Sequence, residues 1–210
     1  MKNQMEKVLE QISSWEGYLE KRKRDYSLYE LFTSGAGYNS YNRFSRICDK
    51  LFGYKENTKD GYHWCACAIV ASFYEAIAGR IDTSVPNGGL PAVDTNSLNE
   101  VKRLLCVDHS YGWEYYAGVD AIGKAYKKAN QWIDSKSRIG DLIIFRSTLS
   151  ENEYKHIGFV YKVDEKFVYT IEGNTSDVNV VEANGGGMFK KKYPLASKEI
   201  NGYCRPAYKE

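Results

Sequence analysis

The chain has 210 residues, 43% of them hydrophobic and 27% charged, enough apolar material for one folded domain with a real core. Its 29 basic and 27 acidic side chains leave a formal net charge of +2, too balanced to indicate a nucleic-acid partner. No apolar run approaches the roughly 18 residues that a membrane-spanning helix needs.

Met1-Lys2-Asn3-Gln4 leads into a charged amphipathic stretch, not the apolar centre of a secretory signal, so synthesis in the cytoplasm without a signal peptide is expected. Met5, Val8, Leu9, Ile12, Trp15 and Leu19 then recur at three- and four-residue spacing, one face of a helix. Lys21-Arg22-Lys23-Arg24 follow as cations where a helix end favours them; a solvated helix end is preferred over contact with an anionic wall or membrane. Ser34-Gly35-Ala36-Gly37 breaks the chain, and Tyr38, Tyr41, Phe44, Ile47, Cys48 and Leu51 form a second periodic stretch. A third helix is expected from about Cys65 to Ala78, stopped by Gly79. Asp82 to Asp94 reads as loop, and helical patterns return around Leu98 to Leu105 and Val119 to Ala129.

From Gly140 onward the period becomes strand-like: Leu142 to Phe145, Ile157 to Val163, Phe167 to Ile171 and Val178 to Val181, before the break at Gly185-Gly186-Gly187. Helices first and antiparallel strands afterwards predict an α+β fold, with residues 1–34 as a helical extension and 35–210 as one domain.

Cys48, Cys65, Cys67, Cys106 and Cys204 are odd in number and scattered, which argues against a disulfide framework and for reduced, mostly core thiols. Eighteen tyrosines suit sugar or peptide ligands in principle, because the ring stacks while the hydroxyl bonds, although most are expected at the core margin or surface. Thiol chemistry needs a thiolate, a base and a group that orients the base. Trp64-Cys65-Ala66-Cys67 opens the third helix, where unpaired backbone N–H groups and the helix dipole favour an anion. With the core face on Ala66, Ile69, Val70, Phe73 and Ile77, both thiols lie about 100° from its centre, on opposite flanks. Periodicity does not choose between them; position favours Cys65, nearer the helix end.

Of three histidines, His63 is expected in a surface loop. A zinc site with Cys65 and Cys67 is disfavoured because His-x-Cys-x-Cys lacks the usual two-residue gap. His109 lies in the polar loop Asp108-His109-Ser110. His156 instead opens an apolar strand. If Asp164-Glu165-Lys166 is a three-residue hairpin loop, Val163 pairs with Phe167, His156 falls opposite Asn174, and Glu172 is its diagonal neighbour. An acid or amide there fixes the imidazole tautomer that accepts a proton from sulfur. A one-residue slip would undo this register.

Trp64-Cys65-Ala66, Gly140-Asp141-Leu142-Ile143-Ile144-Phe145, His156-Ile157-Gly158-Phe159-Val160 and Ile171-Glu172-Gly173-Asn174-Thr175 occur in the order of CHAP domains. That family comprises the cysteine, histidine-dependent amidohydrolases and peptidases of the papain-like superfamily. The chain resembles most its phage and prophage endolysin branch, through Ala36-Gly37-Tyr38-Asn39-Ser40-Tyr41 and Gly202-Tyr203-Cys204-Arg205-Pro206 as well. The resemblance implies a papain-like fold, with a cysteine-bearing helix packed on an antiparallel sheet that carries the histidine. It implies Cys65 as nucleophile, His156 as base, Glu172 as orienting acid and Asn174 as the fourth polar residue. Ser137-Arg138-Ile139 replaces the usual proline before the Gly-Asp element, a change of loop and not of chemistry. Calcium is not expected, because Glu56-Asn57-Thr58-Lys59-Asp60 is mixed in charge, and no cofactor is implied.

The implied function is a peptidoglycan hydrolase, an amidase or endopeptidase, acting at the bacterial cell wall. A lysin of this kind would reach the wall through a partner pore protein; a toxin delivered by a secretion machine also fits. Two readings from other classes stay open: a catalytically silent wall- or peptide-binding domain, and a protein-directed cysteine protease or acyltransferase.

Overall fold

The segment Cys65–Ala78 (α3) is buried around its whole circumference from Cys65 to Glu75, so it is the central helix and not a surface one. The computed structural model describes residues 2–20, 42–55, 58–59, 62–83, 89–107, 112–147, 150–176 and 186–210. Around α3 pack Gln4–Ser13 (α1), Arg43–Phe52 (α2) and Thr95–Leu104 (α4), while Val119–Lys128 (α5) lies against the sheet. Each start carries a local reason. Asn3 and Glu6 form a reciprocal capping box, Asn42 accepts from the amides of Phe44 and Ser45, and Asp94 accepts from Ser97. Gly79 ends α3 with φ 94°, a conformation that side chains resist.

Six strands form one antiparallel sheet: Trp132–Ile133 (β1), Leu142–Ser147 (β2), Ser150–Val163 (β3), Phe167–Thr175 (β4), Gly187–Pro194 (β5) and Ile200–Cys204 (β6), ordered β1-β6-β2-β3-β4-β5. Alternation sorts its two faces. Leu142, Ile144, Ile157, Phe159 and Ile171 join the core shared with the helices, whereas Ile143, Phe145, Val160, Val168, Ile200 and Tyr203 form a second, smaller cluster. The fold is thus α+β and papain-like, with the helix that begins at Cys65 seated on an antiparallel sheet. Among the described residues, no helix is long and apolar enough to cross a membrane. All five cysteines are free.

The first helix is shorter than its apolar pattern suggests. It ends at Ser13, and Gly17, at φ 83°, turns the chain away. The Gly17 amide then donates to Met188 O (2.8 Å), the Met188 amide donates to Tyr18 O (2.9 Å), and Leu19 bridges to Gly187. The open edge of β5 outcompetes the helix for these backbone groups. A Cβ at Gly187 would lie 2.4 Å from Tyr18 O, so this closure needs glycine. Val8, Ile12 and Trp15 are fully buried in the core that α3 centres.

The β3–β4 hairpin differs from expectation twice, and the two differences cancel. Val163 pairs with Val168 and not with Phe167, which lengthens the turn by one residue. A bulge between Val160 and Lys162 then restores the expected register, so that Gly158 faces Glu172. The 3-10 turn Trp113–Ala117 and the strands β1, β5 and β6 were not expected as elements from periodicity. Expected features at Lys21 to Arg24, Ala36 to Tyr41, His109 and Val178 to Val181 lie outside the described residues.

Candidate active site

Cys65 is the first residue of α3, and Trp64 before it provides no side-chain cap, so no side chain competes for the first-turn amides. Trp64 is clamped in place. Its indole Nε1 donates to Glu20 Oε2 (2.7 Å), its ring stacks on Phe44 at 5.3 Å and 11°, and Tyr18 meets it edge-on at 5.9 Å. Glycine lets the helix close on the sheet: a Cβ at Gly173 would meet Ala68 Cβ at 2.6 Å and Trp64 Cζ3 at 2.9 Å.

His156 stands on β3 opposite Phe145 and is 6% exposed. Its Nε2 lies 2.9 Å from Glu172 Oε2, and the Cys65 side chain is close enough to the ring to act on its titration. Burial pushes the imidazole pKa down, but the neighbouring Cys65 and the hydrogen bond and charge of Glu172 outweigh it and raise it to about 10.

Glu172 is 1% exposed and supported from three sides. Oε2 also accepts from the Tyr193 hydroxyl (3.2 Å), and Oε1 accepts from the Thr170 hydroxyl. Burial and the Glu172 charge push the Tyr193 phenol pKa up, so that phenol stays a donor. Phe145 walls this group in, 5.8 Å from the His156 ring and 4.7 Å from that of Tyr193.

Three of the four expected residues thus meet in one line, Cys65–His156–Glu172. Asn174 does not join it. It is 1% exposed at φ 56°, and its Nδ2 lies 3.0 Å from His63 Nδ1. Cys67 faces away, toward α2, where its carbonyl accepts from Cys48 Sγ at 3.6 Å. Burial, then the contact with Cys67, drives the Cys48 thiol pKa well up. His63 turns to Asn174, while Cys65 and Cys67 lie in the first turn of α3. Among the described residues, no group of three His, Cys, Asp or Glu is placed to hold a metal ion.

Sequence reasoning missed Thr170, Tyr193 and the link from His63 to Asn174. Thr170 could have been found, because it precedes Glu172 by two residues and shares its strand face. Tyr193 sits after Lys190-Lys191-Lys192, a run that carries no alternation signal.

A thiol at an uncapped helix start, an imidazole on it and a carboxylate behind the imidazole form the arrangement that thiol acyl transfer requires. The chain belongs to the CHAP domain family, which matches residues 57–174, more than half of its length. No curated protein matches it. Two solved structures are similar, "The crystal structure of Ly7917" and "The crystal structure of Ly7917 with the hydrolyzing product of MDP". Each is 14% identical with a TM-score of 0.40, over 96% of this chain and 62% of theirs. This chain therefore spans less than two thirds of the length of that protein.

Proposed function

We propose that the protein is a peptidoglycan hydrolase that cuts an amide or peptide bond of the bacterial wall by thiol acyl transfer, as an N-acetylmuramoyl-L-alanine amidase or an endopeptidase, in the manner of a phage or prophage lysin. The observation that carries the chemistry is the position of His156 between Cys65 and Glu172. Family membership supports the wall as substrate.

In this mechanism the Cys65 sulfur attacks the carbonyl carbon, and the Cys65 backbone N–H donates to the developing oxyanion. His156 gives its proton to the leaving amine as the C–N bond breaks, which leaves a thioester. It then takes a proton from water as water attacks the thioester, and keeps it as the sulfur leaves as thiolate with release of the acid, which restores the starting state. Glu172 keeps the ring oriented and cationic, while Asn174 stands apart from this line, on His63. Residues 1–34 are read as an extension of the catalytic domain 35–210. Its described part contributes Glu20, which holds the tryptophan next to Cys65.

Purified sacculi incubated with the protein should release soluble fragments, and mass spectrometry of their new termini names the bond. Binding to sacculi without release of any fragment would favour the silent binding domain instead. Cleavage of folded proteins with sacculi left intact would favour a protein-directed protease.

A further inference from the structure

Two histidines flank α3's first residue, and each is held by a polar residue of β4. The buried one, His156, meets an acceptor, the Glu172 carboxylate. The exposed one, His63, meets Asn174 Nδ2, which carries only donors. A donor aimed at Nδ1 requires the lone pair there, so the neutral ring carries its proton on Nε2. The two rings are thereby set for opposite tasks, one to pass a proton and the other to present a fixed N–H.

Asn174 holds this position at a cost. It is 1% exposed, its backbone sits at φ 56°, and its Oδ1 has no hydrogen-bond partner among the described residues. A buried carbonyl oxygen without a partner costs stability, and the left-handed backbone, which asparagine tolerates better than other side chains do, adds a smaller cost. Gly186 packs against the Asn174 backbone, where an added Cβ would lie 3.0 Å from its carbonyl carbon, so the position is enforced from outside. What the arrangement gains is an oriented ring at the rim of the site. His63 precedes Cys65 by two residues, which keeps their Cα atoms within about 7 Å of each other.

We propose that His63 is a substrate-contacting residue, its Nε2–H donating to a carbonyl or carboxylate oxygen of the wall's stem peptide, and that Asn174 is the positioning residue that fixes its tautomer. This rests on the reading of the protein as a peptidoglycan hydrolase. His63 takes no part in proton transfer, which His156 performs.

The test compares wild type with His63→Phe, His63→Gln and Asn174→Asp on a soluble stem-peptide substrate. Cys65 alkylation by iodoacetamide serves as a control that needs no substrate contact. His63→Phe should raise KM about five- to tenfold, the worth of one neutral hydrogen bond, with kcat and the alkylation rate unchanged. His63→Gln, whose amide nitrogen can stand in for Nε2, should recover most of the loss. Nitrogen NMR should find Nδ1 of neutral His63 unprotonated in wild type and protonated in Asn174→Asp, because a carboxylate accepts only. An unchanged KM in His63→Phe, or a slowed alkylation in step with it, would overturn the proposal, as would a protonated Nδ1 in wild type. If wild type cleaves no wall substrate while NMR gives the expected tautomer, the functional reading fails and the His63–Asn174 pairing stands.

Discussion

Gly158 lies directly across the β3–β4 ladder from Glu172, and the Glu172 side chain crosses the space where a Cβ of residue 158 would sit. That Cβ would be 2.7 Å from Glu172 Cγ and 3.2 Å from Ile143 Cγ2. The glycine in His156-Ile157-Gly158 is therefore the opening through which the carboxylate reaches the imidazole.

Gly158→Ala should displace Glu172 from His156. We expect kcat to fall, with a stability loss of about 1–3 kcal/mol from overpacking. Kinetics alongside urea unfolding checks both. A variant with full activity would mean that Glu172 need not touch the ring.

Tyr193→Phe removes one of three donors on Glu172 and should lower kcat modestly, about three- to tenfold, the worth of one typical hydrogen bond. Thr170→Val should act in the same direction, and the double variant should show whether the two supports are independent. KM is expected to stay put in all three, since neither side chain is proposed to meet substrate.

The pH dependence has a definite sign. His156 has a folded pKa of about 10, above its ordinary value near 6.5. Its contribution to stability is then fully present below about pH 6.5 and is lost as pH rises through about 10. Glu172→Gln removes two of the causes that raise it, so the His156 pKa should fall, and the alkaline limb of kcat/KM should move to lower pH with it. NMR titration of His156 decides this, and an unmoved pKa would contradict the role given to Glu172.

Away from the site, Arg43 pairs with Glu75, both almost fully buried, with Arg43 also lying 3.7 Å over the Trp15 ring. Glu75→Ala leaves a buried cation and should destabilise the fold by about 3–5 kcal/mol. Thermal and urea unfolding measure this. Iodoacetamide should still find Cys65 with its normal reactivity below the unfolding transition.

Much of this was legible in the sequence, for reasons visible residue by residue. The bounds of α3 were readable because an apolar run and Gly79 are local signals. The pairing of His156 with Glu172 came from a count along the hairpin, and it survived only because the longer turn and the bulge at Tyr161 offset each other. No local pattern encodes such a cancellation. Leu19 looked helical by spacing, but its backbone partner, Gly187, is far along the chain. His63 carries no local signal for the same reason: its partner Asn174 is 111 residues away. Asn174 itself was placed beside His156 by register alone, and its left-handed backbone turns it elsewhere.

The most direct measurement is fragment release from purified sacculi by wild type, Cys65→Ala and Cys67→Ala side by side. Wild type and Cys67→Ala should release fragments at similar rates, because Cys67 packs toward Cys48, while Cys65→Ala should release none and still fold and bind. Equal release by Cys65→Ala would remove that sulfur from the chemistry, and with it the line from Cys65 through His156 to Glu172.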